Sequence, residues 1–202
     1  MGKIFILIGP SCSGKDSIFK IIKDDYSELI PITLYTTRPI RNGESNGKEY
    51  YFITSEDMNE MVKNNQIIER RDYNTEYGIW SYATSKKDID LLNNSYITVN
   101  TLVGYNQFKR CYGDNVIPLF IHVDDEIRLK RAMMREAEQI SPKYDELKRR
   151  FLADAIDFSK DKLEAAGISK MYENDKLYSC VYEIEKDIDK VLNNKKRRNP
   201  LY

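Results

Sequence analysis

The sequence is poor in the residues that bind metal ions or form cross-links. It has one histidine, His122, and three cysteines, Cys12, Cys111 and Cys180, which are widely separated and form no Cys-x-x-Cys pair. An odd number of scattered cysteines argues against a disulfide framework and against a zinc site, and it is typical of proteins from a reducing compartment. Because there is no second histidine, His122 is expected to be an ordinary side chain of the apolar run PLFIHV.

The sequence also lacks net charge and long apolar runs. Its 32 basic and 32 acidic residues cancel, so there is no overall electrostatic attraction to nucleic acid or to a membrane surface, and an anionic ligand must be bound by local clusters of charge. The apolar run at residues 4–8 is too short for a signal peptide or a membrane span. We therefore expect a cytoplasmic protein, a monomer or a homodimer, that acts on small molecules and binds neither nucleic acid nor membrane.

Apolar runs typical of buried strands alternate with segments of helical periodicity. KIFILI, SYITVN and VIPLFIHV are rich in β-branched residues, as strands buried on both faces are. This alternation predicts an α/β fold with a mainly parallel sheet flanked by helices. The β-rich interval from about 34 to 84 interrupts it and predicts an insert in a single domain, residues 1–202, whose core comprises residues 1–33 and 85–192. Residues 195–202 are expected to form a solvated basic tail.

Turn and capping signals divide the chain further. ELIPITLYTT predicts one strand after the first helix. Helix starts are predicted at Thr54 and Ser85, each followed by an aspartate three residues on, and at Ser141, which precedes a proline. The helix from Ser85 is expected to end near Leu92, and the helix from Ser141 near Gly167.

The segment GPSCSGKDS joins the first predicted strand to the first predicted helix. Its Gly-x4-Gly-Lys spacing is typical of a phosphate-binding loop, in which backbone N–H groups and the positive end of the helix surround a phosphate and the lysine reaches the terminal phosphates of ATP. The alternative is a simple glycine turn, but strand, loop and helix occur in the required order. The predicted ATP site comprises Gly9, Pro10, Ser11, Cys12, Ser13, Gly14, Lys15, Asp16 and Ser17.

The residue after Lys15 is unusual for such a loop. That position normally supplies a hydroxyl to magnesium, whereas here it is Asp16. A carboxylate is also a hard oxygen ligand for Mg²⁺, so Asp16 and Ser17 are both predicted as metal ligands. Because a carboxylate would repel a triphosphate, Asp16 should increase the requirement for the metal ion.

Two arginines and a tyrosine in TTRPIRNGESNGKEYYF predict an anion site. Arg38 and Arg41 lie three residues apart and precede Tyr50, and a guanidinium group offers a rigid pair of donors to a phosphate. The alternative for two arginines alone is an exposed basic loop.

These residues belong to a longer pattern. The order TTR-x-x-R-x-GE-x-x-G-x-x-Y-x-F, after a phosphate loop, resembles the guanylate kinase family from Gly9 to about Asp175. The resemblance includes NNQIIE, the pair Tyr77-Gly78, IRLKRAMMRE as an arginine-bearing lid, KRRFLADAID as the next helix, and YEND near the adenine pocket. It implies a P-loop NTPase-type parallel sheet, a β-rich monophosphate-binding insert and a helical lid at about residues 126–150.

The resemblance also implies roles for individual residues. Family members transfer the γ-phosphate of ATP to GMP with Mg²⁺. The implied acceptor site comprises Arg38, Arg41, Tyr50 and Tyr77 around the phosphate and Glu69 at guanine. Glu44 and Asn100 are also predicted to bind the acceptor. The implied catalytic groups are Lys15, Arg131, Arg135 and Arg150, and Asn174 is placed with ATP. Arg128, Arg131 and Arg135 share one helical face by spacing, and without a phosphate loop that face would be read as simply solvated.

The chain departs from the family pattern around the base. Leu34 and Ile79 stand where the family has small polar or hydroxyl side chains. The aspartates of the strand after the insert are replaced by Thr98, Asn100 or Thr101, depending on the alignment. Each missing partner of a buried polar group costs about 1–3 kcal/mol.

Two other interpretations follow. The Asp-Ser pair of the loop and the strand end Val99-Asn100 resemble ribose 1,5-bisphosphate phosphokinases, although that family lacks the arginine-rich stretch found here. A non-catalytic guanylate kinase-like binding domain is the third interpretation, and such domains typically lose the loop lysine, which is present here as Lys15.

Overall fold

Two β-sheets, one parallel and one mixed, organise the chain. The computed structural model describes residues 1–75 and 77–193, so the predicted basic tail at 195–202 lies outside the described residues. The described strands are β1 (Ile4–Ile8), β2 (Leu29–Pro31), β3 (Tyr35–Thr36), β4 (Tyr51–Phe52), β5 (Ile67–Thr75), β6 (Gly78–Ser85), β7 (Ser95–Val99), β8 (Val116–His122) and β9 (Met171–Glu173). The described α-helices are α1 (Lys15–Asp25), α2 (Ser55–Lys63), α3 (Leu102–Tyr112), α4 (Asp125–Ala137), α5 (Tyr144–Asp157), α6 (Lys160–Ala165) and α7 (Leu177–Leu192).

The core is a five-stranded sheet in the order β2-β7-β1-β8-β9 with every pair parallel. β1 is central and all of its residues are buried. Because successive side chains of a strand point to opposite faces, Phe5 and Leu7 pack with α1 and α7, whereas Ile4 and Ile6 pack with α3. The predicted α/β fold with a parallel sheet flanked by helices is therefore confirmed.

The second sheet has the order β4-β3-β6-β5 and is built mainly from the long antiparallel hairpin of β5 and β6. Its strands lie within residues 35–85, close to the predicted insert. The single strand predicted for ELIPITLYTT is wrong, because Leu29–Pro31 pairs with β7 in the first sheet and Tyr35–Thr36 pairs with β4 and β6 in the second. The chain thus passes from one sheet to the other within this segment.

The helix start predicted at Thr54 is confirmed, whereas the helix predicted from Ser85 to Leu92 is wrong. Thr54 caps α2 in a reciprocal capping box with Asp57, as predicted. At Ser85 the predicted helix is reduced to a short 3₁₀ turn over Lys86–Asp88. The reason is that Asp90 accepts the N–H of Leu92 at 3.0 Å, which favours a turn over a helix.

The helix predicted to run from Ser141 to Gly167 is two helices. α5 begins only at Tyr144, because buried Glu136 of α4 accepts the N–H of Lys143 at 2.5 Å and fixes the preceding turn. The helical run then breaks between α5 and α6, where Ser159 has an extended backbone. None of the helices in residues 1–75 and 77–193 is long and apolar enough to cross a membrane.

Candidate active site

The phosphate loop has a backbone that only glycine allows at two positions. Gly9 and Gly14 have φ angles of 149° and 90°, in the region that favours glycine. A Cβ atom on Gly9 would lie 2.4 Å from the carbonyl oxygen of Ile121, and a Cβ on Gly14 would lie 2.3 Å from Nδ2 of Asn174. The two glycines therefore let the loop pass close to β8 and to the turn before α7.

Lys15 lies folded against its own loop. Its Nζ atom donates hydrogen bonds to the carbonyl oxygens of Gly9 at 2.8 Å and Pro10 at 2.7 Å. Burial lowers the pKa of Lys15, and the nearby carboxylates of Asp16 and Asp154 oppose that shift. Carbonyl oxygens satisfy the ammonium group only weakly compared with an anion, so this lysine can exchange them for phosphate oxygens.

Two lid arginines face the loop across a small pocket. This pocket, of about 180 Å³, is lined by residues of the loop and the first turn of α1, including Asp16 and Ser17, and by Arg131 and Arg135 of α4. Arg131 also donates to the backbone carbonyl of Asn174 at 2.8 Å. The pocket thus combines the positive charges of Arg131 and Arg135 with the positive end of α1, where an anion is favoured.

Asn174 is buried beside the loop. Its Nδ2 atom donates to the carbonyl oxygen of Ser13 at 2.7 Å, and its Oδ1 atom has no hydrogen-bond partner among the described residues. A buried acceptor of this kind can receive an N–H group from a ligand.

Arg128 behaves differently from the other two arginines of its predicted face. It is buried, its guanidinium lies 3.6 Å from the ring centroid of Phe151, and it pairs with Asp125 at 2.9 Å and with Asp154 at 3.2 Å. Asp154 in turn accepts the N–H of Ser11 at 2.8 Å. The three arginines therefore do not form one cluster, since Arg128 connects α4, α5 and the phosphate loop.

Arg150 of α5 also lies close to the phosphate loop. With Arg135 it borders the same narrow gap as Ser11 and Cys12. Its ion pairs are long, 3.9 Å to Glu136 and 3.7 Å to Glu146, so little holds it away from a phosphate.

In the loop between β3 and β4, Glu44 organises the predicted anion site. Its carboxylate accepts two hydrogen bonds from Arg38, at 2.7 and 3.1 Å, and the backbone N–H of Arg41 at 2.8 Å. Hydrogen bonding to Arg38 lowers the pKa of Glu44, and the same interaction raises the pKa of Arg38. The Arg38 guanidinium lies 5.4 Å from the ring centroid of Tyr50. Arg38, Arg41, Glu44 and Tyr50 are thus brought together.

Tyr77 does not join this cluster. Its side chain is exposed and stacks on Trp80 with 6.3 Å between ring centroids.

Glu69 is fully buried, although it was predicted to contact a base. Its Oε1 atom accepts a hydrogen bond from Thr84 at 2.9 Å, and its Oε2 atom lies 3.1 Å from Nε of Arg71. Arg71 is half-buried and lines a large cleft that also reaches the phosphate loop, whereas Glu69 does not line this cleft.

Asn100 lies at the end of β7 and faces the same cleft. Its Oδ1 atom accepts the N–H of Thr101 at 2.8 Å, but its buried Nδ2 atom has no hydrogen-bond partner among the residues that the structure describes. Thr101 caps α3 by accepting the N–H of Gly104 at 3.1 Å, and Thr98 is buried within β7. Asn100 therefore has a buried donor without a partner where it borders the cleft.

A cleft of about 900 Å³ runs from the phosphate loop to the edge of the acceptor side, while Tyr50 borders a second pocket that shares Arg71 with this cleft. Gly9, Ser11 and Lys15 line it on the loop side, and Arg71 and Asn100 line it on the acceptor side. The sequence did not predict that Asp154 and Arg71 lie at the site, or that Arg128 points into the interior. Asp154 contacts a residue 143 positions away, so no local pattern could have indicated it.

The phosphate loop after the central parallel strand, the arginine-bearing helix above it and the second sheet across the cleft define a P-loop nucleotide-binding protein. The model of the family described as guanylate kinase matches residues 1–191. The chain therefore belongs to the guanylate kinase family.

Individual relatives agree with that assignment. The chain is 25% identical to a guanylate kinase of Porphyromonas gingivalis over 203 residues, which covers 93% of this chain and 97% of the relative. It is 34% identical to a guanylate kinase of Francisella tularensis subsp. holarctica over 128 residues, 58% of this chain and 63% of the relative. None of these comparisons supports the ribose 1,5-bisphosphate phosphokinase interpretation.

The fold is similar to that of a solved relative. The crystal structure of guanylate kinase from Anaplasma phagocytophilum matches 97% of this chain and 88% of its own chain with a TM-score of 0.62 at 21% identity.

Proposed function

We propose that this protein transfers the γ-phosphate of ATP to GMP and so forms ADP and GDP. The observation that carries the proposal is the single cleft that joins Lys15 of the phosphate loop to Arg71 and Asn100 of the acceptor side. Membership of the guanylate kinase family supports it. A cytoplasmic location, and a monomer or homodimer that binds neither nucleic acid nor membrane, remain predictions.

ATP binds at the loop in this proposal. The backbone N–H groups of residues 12 and 14–17, at the positive end of α1, hold its phosphates, and Lys15 replaces its contacts with Gly9 and Pro10 by contacts with phosphate oxygens. The free Oδ1 atom of Asn174 accepts a hydrogen bond from the 6-amino group of adenine.

Magnesium fits beside the first turn of α1. The described residues contain no cluster of three or more metal-binding side chains. Asp16 and Ser17, which line the small pocket, offer the ion a carboxylate and a hydroxyl, both hard oxygen ligands. When bound, Mg²⁺ neutralises charge on the β- and γ-phosphates.

GMP binds on the acceptor side. Arg38, Arg41, Tyr50 and Tyr77 hold its phosphate, and Glu44 keeps Arg38 in position through two hydrogen bonds. Tyr77 is exposed, so it must move toward the ligand. Glu69 is buried beside Arg71, so its carboxylate must become accessible before it accepts the N–H groups of guanine. Asn100 donates its free Nδ2 group to the acceptor.

Transfer needs alignment and positive charge more than proton transfer. An oxygen of the GMP phosphate, already anionic, attacks the γ-phosphorus atom, and the bond to the β-phosphate oxygen breaks as ADP leaves. No proton has to be removed from the nucleophile. Lys15, Arg131, Arg135 and Arg150 stabilise charge on the moving group.

The test is a transfer assay with Mg-ATP and, in turn, GMP, dGMP, AMP, CMP, UMP and ribose 1,5-bisphosphate. We expect GMP to be preferred, with loss of transfer when Mg²⁺ is removed. Lys15→Ala should lower kcat at least about 100-fold, as removal of one transition-state donor typically does, while the circular dichroism spectrum is unchanged. Faster phosphorylation of ribose 1,5-bisphosphate than of GMP would overturn the proposal, and absence of ATP binding would indicate a binding domain.

A further inference from the structure

Arg71 occupies a position between the phosphate loop and the acceptor pocket. In β5 it alternates with Glu69 and Tyr73, and across the hairpin it pairs with Tyr82, so these side chains share one face of the second sheet. Arg71 lines both the large cleft and a pocket of about 340 Å³ that also contains Tyr50. A ligand that spans from the loop to Tyr50 must therefore pass Arg71.

Arg71 is the charged group that this face presents to a ligand. The other described residues that line the smaller pocket are Leu34, Tyr50, Tyr73, Trp80 and Tyr82. Glu69 is completely buried and its nearest charged neighbour is Nε of Arg71. The guanidinium thus lies between the Glu69 carboxylate and the cleft.

The pair has unused hydrogen-bonding capacity. Although Nε of Arg71 and Oε2 of Glu69 are 3.1 Å apart, both atoms are buried and neither makes a well-directed hydrogen bond within the described chain. Oε1 of Glu69 is already bound to Thr84. One acceptor atom and the donors of one guanidinium therefore lie side by side for a ligand that opens the buried pair, since a guanidinium has five N–H donors and no acceptor.

We propose that Arg71 is a specificity-determining residue that donates a hydrogen bond to the 6-oxo group of the acceptor base. This inference depends on the proposed function. Guanine presents O6 as an acceptor next to N1–H and the 2-amino group as donors, which matches a guanidinium next to a carboxylate. Adenine presents an amino group at position 6, so a donor would face the guanidinium, and pairing of that kind is rejected strongly.

The test compares three acceptors that differ by one group. GMP has the 6-oxo and 2-amino groups, IMP lacks only the 2-amino group, and 6-thio-GMP replaces O6 by sulfur, a weak acceptor. The kcat/KM of each is measured with the unaltered protein, Arg71→Met and Arg71→Lys. Arg70→Met is the matched control, because Arg70 is the neighbouring arginine, does not line the cleft and pairs with Asp72 at 2.8 Å.

We expect Arg71→Met to lower kcat/KM for GMP and IMP by the same factor, about 10- to 100-fold, and to change that for 6-thio-GMP less than about threefold. Arg71→Lys should keep part of the preference for GMP over 6-thio-GMP, and Arg70→Met should keep all of it. Ratios between acceptors within one preparation do not depend on the fraction of folded protein, so a loss of stability cannot imitate this result.

An equal loss for all three acceptors would overturn the inference, because it would assign Arg71 to the phosphate or to folding. Unchanged kinetics in Arg71→Met would overturn it as well. Failure of the unaltered protein to phosphorylate GMP would instead refute the proposed function, so the two failures are distinguishable.

Discussion

Lys15 shows how much of the site depends on single side chains. Its half-buried ammonium donates to two carbonyl oxygens of its own loop, which a stronger acceptor can replace. Around it, Gly9 and Gly14 allow neighbouring atoms to approach so closely that a Cβ atom would overlap with them. At the residue scale, the phosphate site depends on the charge of Lys15 and on the lack of side chains at Gly9 and Gly14.

The first prediction concerns the pH dependence of ATP use. Burial lowers the pKa of Lys15, so its ammonium loses the proton at a lower pH than an ordinary lysine does. Because the charged form binds phosphate, kcat/KM for ATP should be highest below this pKa and fall as the pH rises through it. A pH profile of kcat/KM reports groups of the free enzyme. In Lys15→Arg the charge persists to high pH, so any residual activity should lack this alkaline decline; an identical decline would assign it to another group.

The second prediction concerns Gly14. Gly14→Ala should destabilise the protein by more than the roughly 1–2 kcal/mol expected for placing a side chain in left-handed backbone, because its Cβ would also meet Nδ2 of Asn174 at 2.3 Å. Gly167→Ala is the control, since Gly167 has a φ of 72° and open space around it. Urea denaturation measures both. ATP affinity should fall only in Gly14→Ala; equal stability losses in the two variants would contradict the clash.

At the scale of elements, α4, α5 and the phosphate loop are joined through one buried cation. Arg128 of α4 pairs with Asp154 of α5, and Asp154 accepts the N–H of Ser11 in the loop. Glu136 of α4 holds the turn before α5 by accepting the N–H of Lys143. The start of α4 and the end of α5 are therefore attached to the phosphate loop. Arg135 lies at the opposite end of α4, close to the turn that leads to α5.

The third prediction tests this attachment. Asp154→Asn keeps an oxygen for the Ser11 N–H but removes one of the two carboxylates around Arg128, and we expect a loss of about 1–3 kcal/mol in the free energy of unfolding. Asp157→Asn is the control, because Asp157 is exposed and forms only an ion pair with Lys162 at 3.2 Å; it should change stability by less than about 0.5 kcal/mol. A double-mutant cycle compares Arg128→Met, Asp154→Leu and the variant with both changes, and the double variant should lose less free energy of unfolding than the two single variants added together. Additive losses would show that the pair does not interact.

At the scale of the whole molecule, two sheets and a lid surround one cleft. In the proposed reaction, ATP would bind on the loop side and GMP on the acceptor side of a space of about 900 Å³, and closure around both would exclude water and suppress ATP hydrolysis. Tyr77, exposed at the turn between β5 and β6, would have to move to take part in the proposed acceptor site.

The fourth prediction is that the two ligands stabilise the molecule cooperatively. Each ligand alone at about 100 times its Kd should add about 2.7 kcal/mol to the free energy of unfolding. Because closure brings both binding surfaces together, GMP with a non-hydrolysable ATP analogue and Mg²⁺ should raise the Tm by more than the sum of the separate shifts. Thermal denaturation with each ligand, both, and both without Mg²⁺ measures this. Strictly additive shifts would indicate two independent sites.

Local chemistry determined much of this protein from sequence alone. A glycine-rich loop between an apolar strand and an amphipathic helix, residues 9–17, was predictable because its geometry depends on neighbouring residues. The parallel sheet followed from the same alternation, and the capping box at Thr54 followed from residues three apart. The fold class and family membership were confirmed, whereas the roles of the individual site residues remain predictions.

Only the tertiary structure decided how distant polar groups pair. Asp154 accepts the N–H of Ser11 across 143 positions, Arg128 turns into the interior rather than toward the loop pocket, and Arg71 covers Glu69. The strand at ELIPITLYTT divides between two sheets for the same reason: hydrogen-bond partners and burial are set by what the chain brings into contact, and a sequence pattern records only the neighbours along the chain.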